Sequence, residues 1–535
     1  MPIAKRARKV SRRQFLTGVG GCALALPVLA ARTVAAEPPR AAREAPRFAP
    51  ARLVVPYGVQ SGDVTQESAV VWSATDRPAR MIVEYATTDR FADARWLVAD
   101  AALPETGLAS KAMLTDLPAG QDLFYRVTFQ ALGDLTTQSE PVIGHFRTPP
   151  SDTRDVTFVW SGDTAGQGWG ISPEWGGMRL YEVMRRTNPD FFVHSGDMIY
   201  ADGPLRAEEP LPDGTVWRNV VTEAKSKVAE TIDEYRGNYA YNMLDENVRA
   251  FNAEVAEYVQ WDDHEVTNNW FHERILTDPR YSEKNVALLA ARARRAMFEY
   301  TPISWHPAES QRVYRAINRG PLLDLFMLDM RQYRGPNGPN TQTELTDDAR
   351  ILGRAQAEWL KRQLAGSRAT WKVIAADMPL GLVVYHDFAN RSGSEAIAQG
   401  DGPPLGRELE IAEILRFIAD NNVRNVVWIT ADVHYCATHL YSPNRAQFQQ
   451  FKPFYEFVSG PLHAGGFGPN ELDNTFGPEV VFTKHPPEGR QNTAPSEGIA
   501  FFGHVRIDGR TGEMVVGHRD LTGIALHETT LRPEA

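Results

Sequence analysis

Five times along this 535-residue chain a short apolar run ends in a polar segment that carries carboxylates or histidines. The segments are Ser161-Gly162-Asp163, Ser195-Gly196-Asp197-Met198-Ile199-Tyr200, Trp261-Asp262-Asp263-His264-Glu265, Ala431-Asp432-Val433-His434 and Ser459-Gly460-Pro461-Leu462-His463. Buried strands rich in Val, Phe and Ile are read over 156–161, 191–195, 322–328, 371–376 and 426–430. Helical spacing falls among them, over 353–364 with an apolar face at Ala355, Trp359 and Leu360, and over 407–419 with one at Ile411, Ile414, Leu415 and Ile418. This alternation predicts an α/β fold of layered sheet and helix. In such a fold the loops beyond the carboxyl ends of the strands meet in one crevice, so side chains far apart in sequence can share an ion. Taken singly, the segments have plainer readings as a Gly-Asp turn, a solvated loop or a packed histidine. Their order and flanking strands favour a shared site.

Before residue 150 the texture differs. Residues 37–50 are rich in Pro, Ala and Arg without an apolar period and read as a flexible linker. From 51 to 150, short β-rich runs such as Ala69-Val70-Val71-Trp72, Met81-Ile82-Val83-Glu84-Tyr85 and Leu123-Phe124-Tyr125-Arg126-Val127 follow at close spacing, the rhythm of a small β-sandwich. The stretch from Leu117-Pro118-Ala119-Gly120 to Tyr125 resembles a fibronectin type III or immunoglobulin-like pattern, with Trp72 as the core tryptophan. The expected organisation is therefore a small all-β domain over 51–150, serving packing and orientation, and a catalytic α/β domain over 151–535.

At the amino terminus, six basic residues between Lys5 and Arg13 precede an apolar run from Gly18 to Ala31 and a small-residue stretch ending Val34-Ala35-Ala36. Residues 1–36 read as a removable export signal. The run is broken by Pro27 and falls short of the ~20 residues a spanning helix needs, so no stable membrane insertion is expected. Ser11-Arg12-Arg13-Gln14-Phe15-Leu16 resembles a twin-arginine signal, which implies export of the folded chain by the twin-arginine machinery to a periplasmic or secreted location. The formal net charge of −10 becomes −17 once the seven basic side chains of that segment are gone. A surface of that sign repels phosphate backbones and anionic lipids, so no nucleic-acid partner is expected. Of two cysteines only Cys436 lies outside the signal, which excludes an intramolecular disulfide.

Together the five segments resemble the metallophosphoesterase pattern, whose fold is a β-sandwich flanked by helices. More closely, residues 58–518 resemble the alkaline phosphatase D (PhoD-like) family, through Val59-Gln60-Ser61-Gly62-Asp63, the His194 to Tyr200 segment, the Trp261 to Asn269 segment, Leu328-Asp329-Met330-Arg331-Gln332-Tyr333-Arg334, Trp371-Lys372-Val373-Ile374-Ala375, Asp432-Val433-His434 and Glu456-Phe457-Val458-Ser459-Gly460. The resemblance implies that Asp197 bridges two metals and that Tyr200 binds Fe3+ as a phenolate, a hard anionic ligand that favours the ferric state. It implies Asp163 as a further iron ligand, Asp263 in place of a family asparagine, Asn269 or Asn268 as a neighbouring oxygen ligand, and Asp432 with His434 on the second metal. Iron with Ca2+ is the implied pair, and oxygen ligands also admit Mn2+ or Mg2+. Two departures stand out. Many members carry cysteine where this chain has Asp163, and no histidine stands in Ala375-Ala376-Asp377-Met378-Pro379, where purple acid phosphatases have a ligand. His463 is a candidate neighbour of the site.

Such a set can cleave a phosphate ester. Metal ions lower the pKa of a bound water, so that a hydroxide attacks phosphorus in line. Arg331 is the candidate cation for charge building on the phosphoryl oxygens, unless a salt bridge to Asp329 takes it. His264, beside Asp263, is the candidate general acid for the leaving group, or else a partner that orients Asp263. The expected function is that of a secreted metal-dependent phosphoester hydrolase. Phosphodiesterase or phospholipase D-like activity is the alternative within the class, and a calcium-stabilised secreted binding protein the alternative outside it. Tyr200 and the Asp-Val-His pair count against the latter, because structural calcium sites rarely use tyrosinate or imidazole.

Overall fold

The structure, a computed structural model, describes residues 52–534. The expected export signal and the 37–50 linker lie outside the described residues. Among those described, no helix is long and apolar enough to cross a membrane.

Two mixed sheets face each other. In the first, the strands Val156–Ser161, Phe191–Ser195, Ala256–Gln260 and Val59–Gly62 run parallel in that spatial order. In the second, Leu323–Met327, Trp371–Ala375, Val426–Thr430 and Phe454–Val458 do the same. Antiparallel strands extend both edges of each sheet. Strand alternation explains why these runs read as continuously apolar. Phe158, Trp160 and Val193 of the first sheet meet Leu325, Met327, Val373 and Ile429 of the second in one core between the sheets. The intervening residues point outward. Val159 and Phe192 pack on Tyr181, Met184 and Phe251 of flanking helices, while Phe326, Ile374 and Trp428 pack on Leu360, Ile411 and Ile414 of others. The fold is α/β, with mixed sheets flanked by helices.

Helix Arg354–Gly366 buries Trp359 and Leu360 as expected and departs from the expected face at one position. Ala355 is exposed, and Gln356 takes the buried position. Gln356 can sit there because both ends of its amide are used, accepting from the Asp329 N–H at 2.8 Å and donating to the Asp329 carbonyl at 2.7 Å.

The β-rich front segment is built partly into this frame. Ala79–Ala86, Arg95–Ala102, Asp122–Ala131 and Val142–Arg147 form a four-stranded sheet of their own. Val59–Gly62, Ala69–Ala74 and Ala109–Leu114 instead continue the first sheet, with Gly62 opposite Glu257. The expected fibronectin-like role of Trp72 is corrected by this arrangement. Ala69 and Val71 face the four-stranded sheet's core, whereas Trp72 and Ala74 face the opposite way, onto Tyr235, Tyr239 and Leu289 of helices Ile232–Asn242 and Val286–Tyr300. The Trp72 indole donates to the Glu299 carbonyl at 2.7 Å.

Candidate metal centre

Four strands of the two sheets deliver one aspartate each to the same end of the sandwich. Asp163 follows Val156–Ser161, Asp197 follows Phe191–Ser195, Asp263 follows Ala256–Gln260 and Asp432 follows Val426–Thr430. The chain must turn sharply to aim them. Asp163, Asp197, Asn269, Asp432 and His434 all take left-handed φ angles between 52° and 69°. Asp and Asn tolerate that region better than most residues, but strain held at so many neighbouring positions marks a functional site. Gly196, at φ 94°, makes the turn into Asp197 possible, since a Cβ there would lie 2.5 Å from the Asp262 Cβ.

Two groups of ligand atoms result, and they share one residue. Oxygen or nitrogen atoms of Asp163, Asp197 and His434 lie within 4.8 Å of one another, and so do those of Asp197, Asp263 and His264. The His434 Nδ1–H donates to the Gly465 carbonyl at 2.5 Å, which turns Nε2 inward as a lone pair. That Nε2 stands 3.0 Å from the Tyr200 hydroxyl and 3.6 Å from Asp163 Oδ1. His434 therefore gathers with Asp163 and Tyr200, whereas the resemblance implied that it shares the other position with Asp432. Asp197, Asp263, His264, Asn269, Asp432 and His434 line a cavity of about 770 Å³.

The electrostatics fit a bound cation. Burial, then repulsion among neighbouring carboxylates, pushes Asp163, Asp197 and Asp432 well above the usual carboxylate range. Asp163 Oδ2 is buried with no hydrogen-bond donor, and a Cβ on Gly460 would lie 2.3 Å from it. Burial likewise holds His434 neutral, down to about 4, as a metal ligand requires. Tyr200 is raised well above its ordinary value by burial and by Asp197, so only a strong Lewis acid would ionise it.

His264 sits at the cavity wall, stacked on Tyr200 with ring centroids 4.2 Å apart. Its Nδ1–H donates to Asp202 Oδ1 at 2.7 Å, and its Nε2 is 3.9 Å from Asp263 Oδ1. Burial alone would lower its pKa, but Asp202 and Asp263 outweigh burial and push it up to about 9. Nothing in the sequence analysis singled out Asp202. It also accepts from the Asn268 N–H at 2.7 Å. The Asn269 N–H donates to Asp263 Oδ2 at 2.5 Å, and its side-chain amide donates to the His386 carbonyl at 3.0 Å. Glu265, also without an assigned role, accepts from the N–H groups of Asp197, Met198 and Asp262 and so ties two ligand loops together.

Arg331 does not serve as expected. Its side chain is 0% exposed and lines no part of the cavity. The guanidinium donates to Asp262 Oδ1 at 2.5 Å and to Glu395, and lies 3.8 Å from Asp263. Burial disfavours ionised Asp262, yet Arg331 together with hydrogen bonds from Asp377 and Asp432 outweighs burial and holds that carboxyl low. Arg331 therefore braces the ligand loop from behind, through Asp262 rather than Asp329. His463 neighbours the site through its backbone, its N–H donating to the Asp163 carbonyl at 3.0 Å, while its Nε2 lies 2.9 Å from the Gly170 carbonyl and outside both ligand groups.

Comparison with known proteins gives a consistent result. Residues 158–517 match the PhoD-like phosphatase family, and residues 40–150 match the PhoD-like phosphatase N-terminal domain. Alkaline phosphatase D of Bacillus subtilis (strain 168) is 27% identical over 487 residues, covering 87% of this chain and 78% of that one. A solved structure of PhoD superposes with a TM-score of 0.68 at 22% identity, over 91% of this chain and 90% of that one. A purple acid phosphatase, PPD1 from yellow lupin (Lupinus luteus) seeds, superposes with a TM-score of 0.53 at 13% identity, over 90% of this chain and 74% of that one. At these identities the two structures speak for the fold alone.

Proposed function

Because the chain belongs to the PhoD-like phosphatase family, we propose that it hydrolyses phosphate esters at the centre around Asp197. The observation that carries this reading is the pair of ligand groups sharing Asp197 on the wall of one cavity. Asp163, Tyr200 and His434 would hold one ion with Asp197, and Asp263, Asn269 and Asp432 the other. An oxygen-rich second position suits Ca2+, and a tyrosine beside the first suits Fe3+. Ions held there would supply Lewis acidity toward the phosphoryl oxygens and toward a water.

The remaining work falls to side chains of this chain. Asp202 fixes the His264 ring through Nδ1 and, as an anion, favours the protonated imidazole. His264 can then give its proton to the departing alkoxide. The pairing of a buried tyrosine hydroxyl with an imidazole supports this reading over a structural calcium site. Rates on a phosphate monoester and a matched diester, measured beside metal content, test it. Absence of turnover with both esters at full metal occupancy would overturn it.

Iron at Tyr200 predicts colour. The oxidised protein should show a broad visible charge-transfer band that Tyr200→Phe removes and Asp163→Cys shifts, because a thiolate donates charge where a carboxylate does so weakly. An active preparation with no iron and no visible band would rule iron out. Export is proposed on the basic and apolar pattern of residues 1–36. Replacing Arg12 and Arg13 by lysine should leave most of the protein in the cytoplasm on cell fractionation, and unchanged export would exclude the twin-arginine route.

A further inference from the structure

The cavity is much larger than a phosphate group needs. Its volume of about 770 Å³ lies in the range of sites that enclose whole organic ligands. The ligand groups account for part of the lining. Val383, Val384, Tyr385, Phe388, Phe467 and Pro469 make up its apolar part, beside polar residues such as Asp387, Asn470 and Glu471.

Phe388 is 72% exposed, at the tip of a hairpin whose strands are Tyr385–Asp387 and Ser392–Ser394. Its ring is thus free to contact what the cavity receives, beside Tyr385 in the same lining. The wall that carries it is anchored. Val383 pairs with Glu471, the Asn269 amide holds the His386 carbonyl, and Arg391 donates to Glu471 at 2.6 Å. Among the described residues lining the cavity, Arg391 is the one lysine or arginine. Glu471 balances its charge, so the pair adds no net positive charge to this part of the lining.

On the premise that the centre binds phosphate esters, the geometry points to an apolar subsite at Tyr385, Phe388 and Phe467 that receives the uncharged alkyl or aryl group of the ester. Phe467 joins the two regions, since its ring lies 5.4 Å from that of His434. The hairpin thereby sets which alcohols are accepted, while the metal centre recognises only the phosphoryl group.

Calorimetric titration of the metal-loaded protein with ethylphosphonate and octylphosphonate tests the subsite without relying on turnover, because the C–P bond is not cleaved. Octylphosphonate should bind about 10-fold tighter or more, given the transfer of several methylenes out of water. Phe388→Ala should cut that ratio at least about threefold through lost apolar contact. Equal affinity for the two phosphonates, or an unchanged ratio in both Phe388→Ala and Tyr385→Ala, would overturn the subsite. Hydrolysis of ethyl and octyl phosphate separates the two claims. Turnover of both at equal kcat/KM with equal phosphonate binding removes the subsite and leaves the hydrolase. Selective octylphosphonate binding with no turnover of either ester does the reverse.

Discussion

Asp197→Asn should abolish ester hydrolysis, by on the order of 10⁴-fold or more, and should lower bound metal at both positions together. The shared position of Asp197 in both ligand groups is the reason: a neutral amide cannot bridge two cations with a carboxylate's charge. The fold should survive. Asparagine matches the volume and tolerates the left-handed φ of 52° at this position. The metal-free variant should even be more stable than metal-free wild type near neutral pH. Asp197 is pushed well above the usual range by burial and by Asp263, Asp262, Glu265 and Asp163, so its ionised form costs stability as pH rises above the ordinary carboxylate pKa, and the amide removes that cost. Thermal unfolding of both metal-free proteins, alongside elemental analysis, checks all three points. Wild-type metal content and rate in the variant would sink the bridging assignment.

His264→Ala should keep most of the metal and lose on the order of 10²–10⁴ in rate, the usual contribution of a positioned proton donor. The loss should be steepest for esters of poorly acidic alcohols, whose alkoxides most need a proton, and smallest for activated aryl esters. Asp202→Asn should reproduce a milder version, since an amide still bonds the ring yet no longer supports its charge. A second outcome is decisive in the other direction. His264 stands in one ligand group with Asp197 and Asp263, so if His264→Ala strips metal in proportion to activity, the residue is a ligand and the acid lies elsewhere.

The strands were legible because they are buried on both faces, which turns alternation into an unbroken run of Val, Phe and Ile over 156–161 and 191–195. Asp163, Asp197 and Asp432 were legible because each follows such a run closely, whereas the strand before Asp263 went unread because Glu257 and Gln260 interrupt it. What the sequence could not show is which way a side chain turns once two faces are both buried. Trp72 lies on a strand with every residue buried, and only the pairing of that strand shows that its ring meets helices. Arg331 is the same problem in charged form. Its motif suggests a phosphate clamp, and its direction is set by Asp262 and Glu395, which come from distant parts of the chain. Asp202 and Gln356 were missed because each looks like an ordinary local residue, a turn aspartate and a surface amide. Their partners, His264 and the Asp329 backbone, lie in other elements.

The parallel pairing of Val59–Gly62 with Ala256–Gln260 has a consequence for how the polypeptide is assembled. This strand, the first among the described residues, cannot complete its ladder until the middle of the chain has been synthesised, so folding is delayed by a contact of very long range. Deleting the front segment would not release a self-sufficient enzyme. It would bare the Ala256–Gln260 edge, buried along its whole length in the intact protein, as a template for pairing between molecules. Truncated forms should therefore aggregate during expression even though they keep every residue of the metal centre.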